Sequence, residues 1–169
     1  MKSLFLTEPN KQYEQSFENY VLSYKNINDT FYFNIYKSAL DNFDEYITNL
    51  INCSKGIDVP KGWVATSTFW LIDKNEVVGV LRIRHKEMPY AGHIGYDIAP
   101  NFRNKGYGTE IVKLALEKAK NLGITEAIVN CNVANIASRK VIEKNNGKLL
   151  GIIFAEEENE ELYKYSITT

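Results

Sequence analysis

The sequence predicts a mixed α/β fold, a sheet covered by helices on its faces. Three observations predict it. Before residue 60 the apolar residues recur at three- and four-residue steps. From Val64 onward, runs rich in Val, Ile, Thr and aromatics are bounded by turn residues. The elements then follow the order helices, strand, strand, strand, helix, strand, helix, strand, strand.

Residues 11–52 read mostly as helix. Tyr13, Phe17, Tyr20, Val21 and Tyr24 share one helical face, and a second helix is expected from about Lys37 to Ile51, through Leu40, Phe43, Ile47, Leu50 and Ile51. Val64 to Ile72 reads as a strand, Asp73-Lys74-Asn75-Glu76 as a turn, and Val77 to Arg84 as its hairpin partner. Strict alternation in that partner puts Val77, Gly79, Leu81 and Ile83 on one face and Val78, Val80, Arg82 and Arg84 on the other. Gly92 to Ile98 is a third strand. A helix follows from about Gly108 to Leu122, stopped by Gly123. Glu126 to Cys131 is a strand, and Asn135 opens a helix to about Asn145. Lys148 to Phe154 and Leu162 to Ile167 close the chain as a hairpin, whose tip carries Glu156, Glu157, Glu158, Glu160 and Glu161 and is expected to be solvated. Trp63, Phe69 and Trp70 are expected in the core.

The chain has 169 residues, which suits one domain: residues 1–60 a helical region, residues 64–169 a strand-rich core. A net charge of −1 disfavours duplex nucleic acid as partner. The two cysteines, Cys53 and Cys131, and the two histidines, His85 and His93, form no zinc-spaced cluster, so no metal is expected. The apolar run at the start is too short for a signal peptide, and no stretch is long enough to span a membrane. A soluble, cytoplasmic protein is expected.

The most informative segment is Ile98-Ala99-Pro100-Asn101-Phe102-Arg103-Asn104-Lys105-Gly106-Tyr107-Gly108-Thr109-Glu110. A strand ends, Pro100 breaks it, and a basic glycine-bearing turn leads into a long helix. The first amides of a helix lack internal partners and sit at the positive end of its dipole, which makes an anion site. Arg103 and Lys105 add charge. The turn lacks the third glycine of a dinucleotide fingerprint, where Ile111 stands, and there is no Walker loop. Two readings stay open on these residues, a phosphate ligand and a solvated basic tip.

Arg103-Asn104-Lys105-Gly106-Tyr107-Gly108 resembles the R-x-x-G-x-G motif of the GNAT superfamily of acyl-CoA-dependent N-acetyltransferases. Asn135-Ile136-Ala137-Ser138 resembles the N-x-x-S/A that opens that family's next helix, and the order of elements from Val64 to Thr169 is similar too. The resemblance covers residues 64–169 by motif and the first 60 only by helix order. Its closest likeness is to a bacterial branch of predicted acetyltransferases.

The resemblance implies a GNAT-like fold, a mostly antiparallel central sheet splayed at the cofactor site. It implies acetyl-CoA as co-substrate. The pyrophosphate would sit on the amides of Lys105 to Thr109, helped by Arg103. The pantetheine arm would lie along the strand ending at Ile98, with Asn135 and Ser138 as further contacts. Ile98, Arg103, Asn104, Lys105, Gly106, Tyr107, Gly108, Thr109, Asn135 and Ser138 are thus the implied cofactor residues. The oxyanion would meet a backbone amide near Ile98. Where many relatives carry a general-acid Tyr seven residues after the Asn, this chain has Ile142. Where some place a Glu in the next strand, it has Asn130.

The base candidates are His93 and Asp97, with His85 or a water behind them. His93 and Asp97 share a strand face with Gly95 between them, about 13 Å apart along a regular strand. The implied activity is direct acetyl transfer, in a ternary complex, to a primary amine on a small molecule or to a peptide amino terminus. The helices before residue 60 would wall the acceptor site. The partners expected are that amine, with no nucleic acid and no membrane, on a monomer or homodimer. The alternative is a coenzyme A-binding sensor that does not catalyse. A different nucleotide binder using the same turn is a third reading.

Overall fold

The computed structural model describes residues 3–169. Strand β1 (Phe5–Thr7) precedes a short 3-10 turn at Lys11–Tyr13 and helix α1 (Glu14–Asn26). Asn10 caps that turn by accepting from the Gln12 amide. Then come α2 (Thr30–Tyr36), α3 (Ser38–Asp41) and α4 (Phe43–Ser54). The helix expected from Lys37 to Ile51 is therefore broken. Asn42 is extended, at φ −151° and ψ 96°, and its side chain accepts from the Glu45 amide to start α4 afresh. Asn competes with the helix for backbone hydrogen bonds, which favours caps over helix interiors.

The remaining elements are β2 (Thr66–Asp73), β3 (Glu76–Met88), β4 (Gly92–Ile98), α5 (Tyr107–Asn121), β5 (Glu126–Asn132), α6 (Ile136–Lys144), β6 (Lys148–Ala155) and β7 (Glu160–Thr168). Two ladders form, in the orders β1-β2-β3-β4 and β5-β7-β6, and every pairing is antiparallel. Helix α5 carries the chain from the end of β4 to the start of β5, the crossover that parallel neighbours require. Near the starts of these two strands the His93 ring accepts from the Ile128 amide, and a Cβ on Gly92 would lie 2.6 Å from the Ile128 carbonyl oxygen. Among the described residues no ladder joins β4 to β5, so the sheet is split there.

Each face of the sheet has its own core. Leu81, Ile83 and Ile94 pack with Ile111, Val112 and Ala115 of α5 and with Val129, Tyr165 and Ile167. On the other face Trp70, Ile72 and Val80 pack against Phe17, Tyr20, Tyr24, Tyr36 and Phe43. The Phe17 ring stacks on Trp70 with centroids 4.4 Å apart. The strict alternation expected in β3 fails at its start. Leu71 pairs with Gly79 but Ile72 pairs with Val77, so Val78 is an extra residue. Val77 joins the aromatic core with Val80, and Val78 joins the α5 core with Leu81. A bulge shifts the side-chain period by one. Trp63, expected in the core, is 55% exposed, whereas Trp70 is fully buried.

Candidate active site

The turn before α5 is built to present amides. Asn104 and Gly106 are left-handed, at φ 60° and 86°. Glu110 is the first amide of α5 with a helical acceptor, the Gly106 carbonyl. The amides of Tyr107, Gly108 and Thr109 thus stand at the positive helix end without intrahelical partners. Gly108 is glycine for packing, since a Cβ there would lie 3.1 Å from Val141 of α6. The Tyr107 hydroxyl points away, donating to Asp73 at 2.6 Å, so only its backbone serves the turn. That bond raises the Tyr107 pKa to about 12.

This turn forms one wall of a cleft of about 780 Å³ between the end of β4 and the start of α6. Tyr96, Asp97 and Ile98 line it from β4, and Asn135, Ser138, Lys140, Val141 and Lys144 from α6 and its cap. The Ala99 amide donates to Val78 on β3. Antiparallel pairs alternate, so the Asp97 and Gly95 backbones also face β3 while those of Ile98 and Tyr96 face the gap. Arg103 and the Tyr24 hydroxyl both donate to the Ile98 carbonyl, each at 3.2 Å. Asn135 accepts from the Ser138 amide at 3.0 Å, which caps α6 and leaves its NH2 as a donor. Across the gap the Tyr96 and Ser138 hydroxyls lie 3.1 Å apart. Burial pushes the Tyr96 hydroxyl up to about 12.

Asp97 and His93 sit on the opposite face of β4. Asp97 is 5% exposed and accepts from four donors. Tyr20 reaches it at 2.5 Å, Tyr24 at 2.7 Å, Tyr36 at 2.5 Å and the Arg82 guanidinium at 2.9 Å. Burial, with Asp97 beside them, raises the Tyr20 hydroxyl well above its ordinary range. Burial does the same for Tyr36, Asp97 adding to it and Arg82 opposing it. The His93 Nδ1 accepts from the Ile128 amide at 3.0 Å, and burial lowers its pKa below the usual 6.5. His85 is held by Ser67 at 2.8 Å.

The acetyltransferase (GNAT) domain family matches residues 14–148. The chain belongs to the GNAT acetyltransferase family. Solved structures agree on the fold. An acetyltransferase from Salmonella typhimurium that modifies the N-terminal serine of ribosomal protein L7/L12 matches at TM-score 0.69 and 17% identity, over 98% of this chain and 95% of that one. The microcin C7 self-immunity acetyltransferase MccE, in complex with acetyl-CoA and AMP, gives 0.72 and 19%, over 98% and 92%. The ribosomal acetyltransferase RimL in complex with coenzyme A gives 0.73 and 18%, over 98% and 93%. A search of curated proteins returned no match.

In this GNAT chain Ile98, Arg103, Asn104, Gly106, Tyr107, Gly108, Thr109, Asn135 and Ser138 line one cleft, to which Asp97 also contributes, whereas His93 lies outside it and the Lys105 ammonium sits instead over the Phe102 ring, 5.5 Å from its centroid. Sequence reasoning missed Tyr96 as a hydroxyl facing α6, and it missed Lys140 and Lys144, whose four-residue spacing on a helix was an available signal. Convergence of three tyrosines on Asp97 carries no sequence signature. Among the described residues no helix is long and apolar enough to cross a membrane, and no group of three His, Cys, Asp or Glu side chains could hold a metal.

Proposed function

We propose that this acetyltransferase uses acetyl-CoA to acetylate a primary amine by direct transfer in a ternary complex. The observation that carries the reading is the cleft between β4 and α6, walled by the partnerless amides of α5 and edged by Arg103, Lys140 and Lys144. The residues fit a pyrophosphate. The Tyr107, Gly108 and Thr109 amides donate to it and the three cations neutralise it. The outward backbone of Tyr96 pairs with the amides of the pantetheine arm, and the Asn135 NH2 adds a donor. The Ile98 amide stabilises the oxyanion as the acetyl carbonyl becomes tetrahedral. The Ser138 hydroxyl, backed by Tyr96, hydrogen-bonds the leaving thiolate; with a thiol pKa near 8.5 the thiolate departs unprotonated and takes its proton from solvent, so no acid is needed where Ile142 stands. Helices α1, α2 and α4 form the acceptor side of a single domain.

In this proposal neither His93 nor Asp97 is the base. The His93 lone pair at Nδ1 is taken up by Ile128, and Asp97 is enclosed by four donors. The amine then loses its proton to water. This favours acceptors of low pKa: an α-amine near 8 is about a tenth neutral at pH 7, a lysine amine near 10.4 hardly at all. Titration with acetyl-CoA in a calorimeter tests the cofactor site, and absence of binding up to millimolar concentration would sink it. A thiol-release assay across amines then tests turnover. The kcat/KM should rise with pH to a plateau set by each amine's own pKa. A plateau at one pH for all amines would place a base on the enzyme. Tight binding with silence across the panel would favour a sensor.

A further inference from the structure

Arg84, on β3, is the one guanidinium beside Gly95 on the acceptor face of the sheet without a carboxylate partner among the described residues. It pairs with Thr66 of β2, two residues along β3 from Arg82, which pairs with Gly95 of β4. Its two terminal nitrogens lie over Gly95, where an added Cβ would meet them at 3.2 and 3.3 Å. A side chain at position 95 would press on the guanidinium and make it give by a few tenths of an ångström, so the glycine leaves it room. The neighbouring charges are already matched. Arg82 is held by Asp97 at 2.9 Å, and Lys164 holds Glu87 at 2.7 Å. Of Arg84's five N–H groups, one donates to the Ala91 carbonyl at 3.0 Å. A half-buried cation with spare donors and no counter-charge suits an anion that binds in a fork. Burial and the charge of Arg82 push its pKa down to about 10, the direction expected when compensation is missing.

Resting on the acetyltransferase reading above, we infer that Arg84 anchors an anionic group on the acceptor. The spacing sets the kind of acceptor. Gly95 lies three residues from Ile98, about 10 Å along the strand from the amide proposed to meet the oxyanion. An extended tripeptide spans about 10 Å from its amino nitrogen to its terminal carboxylate. The substrate class is therefore an α-amine carrying a carboxylate or phosphate about 10 Å away, as in a short free peptide or an acidic peptide amino terminus.

The test compares trialanine with trialanine carboxamide, which share an amine and differ in the anion. Alanine and dialanine, each with its carboxamide, are shorter controls. The parent protein should favour trialanine over its amide by at least about tenfold in kcat/KM, mostly through KM, the scale of one charged hydrogen-bonded contact. Alanine, too short to reach, should show a smaller preference. Arg84→Gln should erase the trialanine preference while leaving the KM for acetyl-CoA and the circular dichroism spectrum unchanged. Arg84→Lys should retain part of it. Equal rates for acid and amide, or a preference that survives Arg84→Gln, would overturn the inference. So would coenzyme A binding with no acetylation of any acid. A protein that neither binds coenzyme A nor consumes acetyl-CoA would instead overturn the acetyltransferase reading itself.

Discussion

Gly106 and Gly108, two residues apart, are glycine for different reasons. Gly106 caps α5 at φ 86°, a conformation that costs a β-branched residue dearly, while its side-chain direction is open. Gly108 allows α5 to approach Val141 on α6. Gly106→Val should unwind the turn and misplace the amides proposed to hold the pyrophosphate. Losing two or three charge-assisted hydrogen bonds should cost at least ~100-fold in coenzyme A affinity, read by calorimetry. Parent-like binding by a folded Gly106→Val protein would remove the turn from the cofactor site. Asp97 makes a second case. It is a buried carboxylate whose loss would strand the Arg82 guanidinium and three hydroxyls. Asp97→Ala should lower stability by about 3–5 kcal/mol in urea unfolding, as removal of one partner of a buried pair does. A loss below about 1 kcal/mol would show that water replaces the carboxylate.

Among the elements, the contact of β4 with β5 is where acid should act first. Burial holds the His93 pKa below its usual 6.5, and its Nδ1 lone pair joins the two halves of the sheet. The unfolded chain therefore takes up the proton at higher pH than the folded one. His93's contribution is present above the unfolded value and is lost as pH falls from there through the folded pKa. Stability measured between pH 7 and 5 should decline, and His93→Ala should flatten part of that slope. An unchanged slope in the variant would show that the ring does not bridge the strands. This junction was invisible in the sequence, because His93 and Ile128 lie 35 positions apart. What was legible were the elements with a period or a punctuating residue: Gly92 to Ile98, the turn at Gly106, the Asn135 cap and the closing hairpin. The break at Asn42 was hidden by the apolar period running through it. The bulge at Val78 leaves no mark, since Val suits either face of the sheet.

For the whole molecule, the cores and the split sheet make opposite demands. The cleft requires β4 and β5 to part, yet the α5 core spans both ladders, with Leu81 and Ile94 from one and Val129 and Tyr165 from the other. The aromatic core lies on the back of the same strands, where Val80 sits beside Leu81. Neither ladder can unfold without exposing apolar surface of the other. Heating should therefore give one cooperative transition in scanning calorimetry. Coenzyme A, proposed to bind across the gap, should stabilise both halves together. At a hundredfold excess over its Kd the gain is about 2.7 kcal/mol, roughly 5–10 °C in Tm for a chain of this size. Gly106→Val should remove that shift while keeping the single transition. Two separate transitions in the parent, with only one moved by coenzyme A, would show that the ladders fold independently and that the ligand contacts one side of the gap alone.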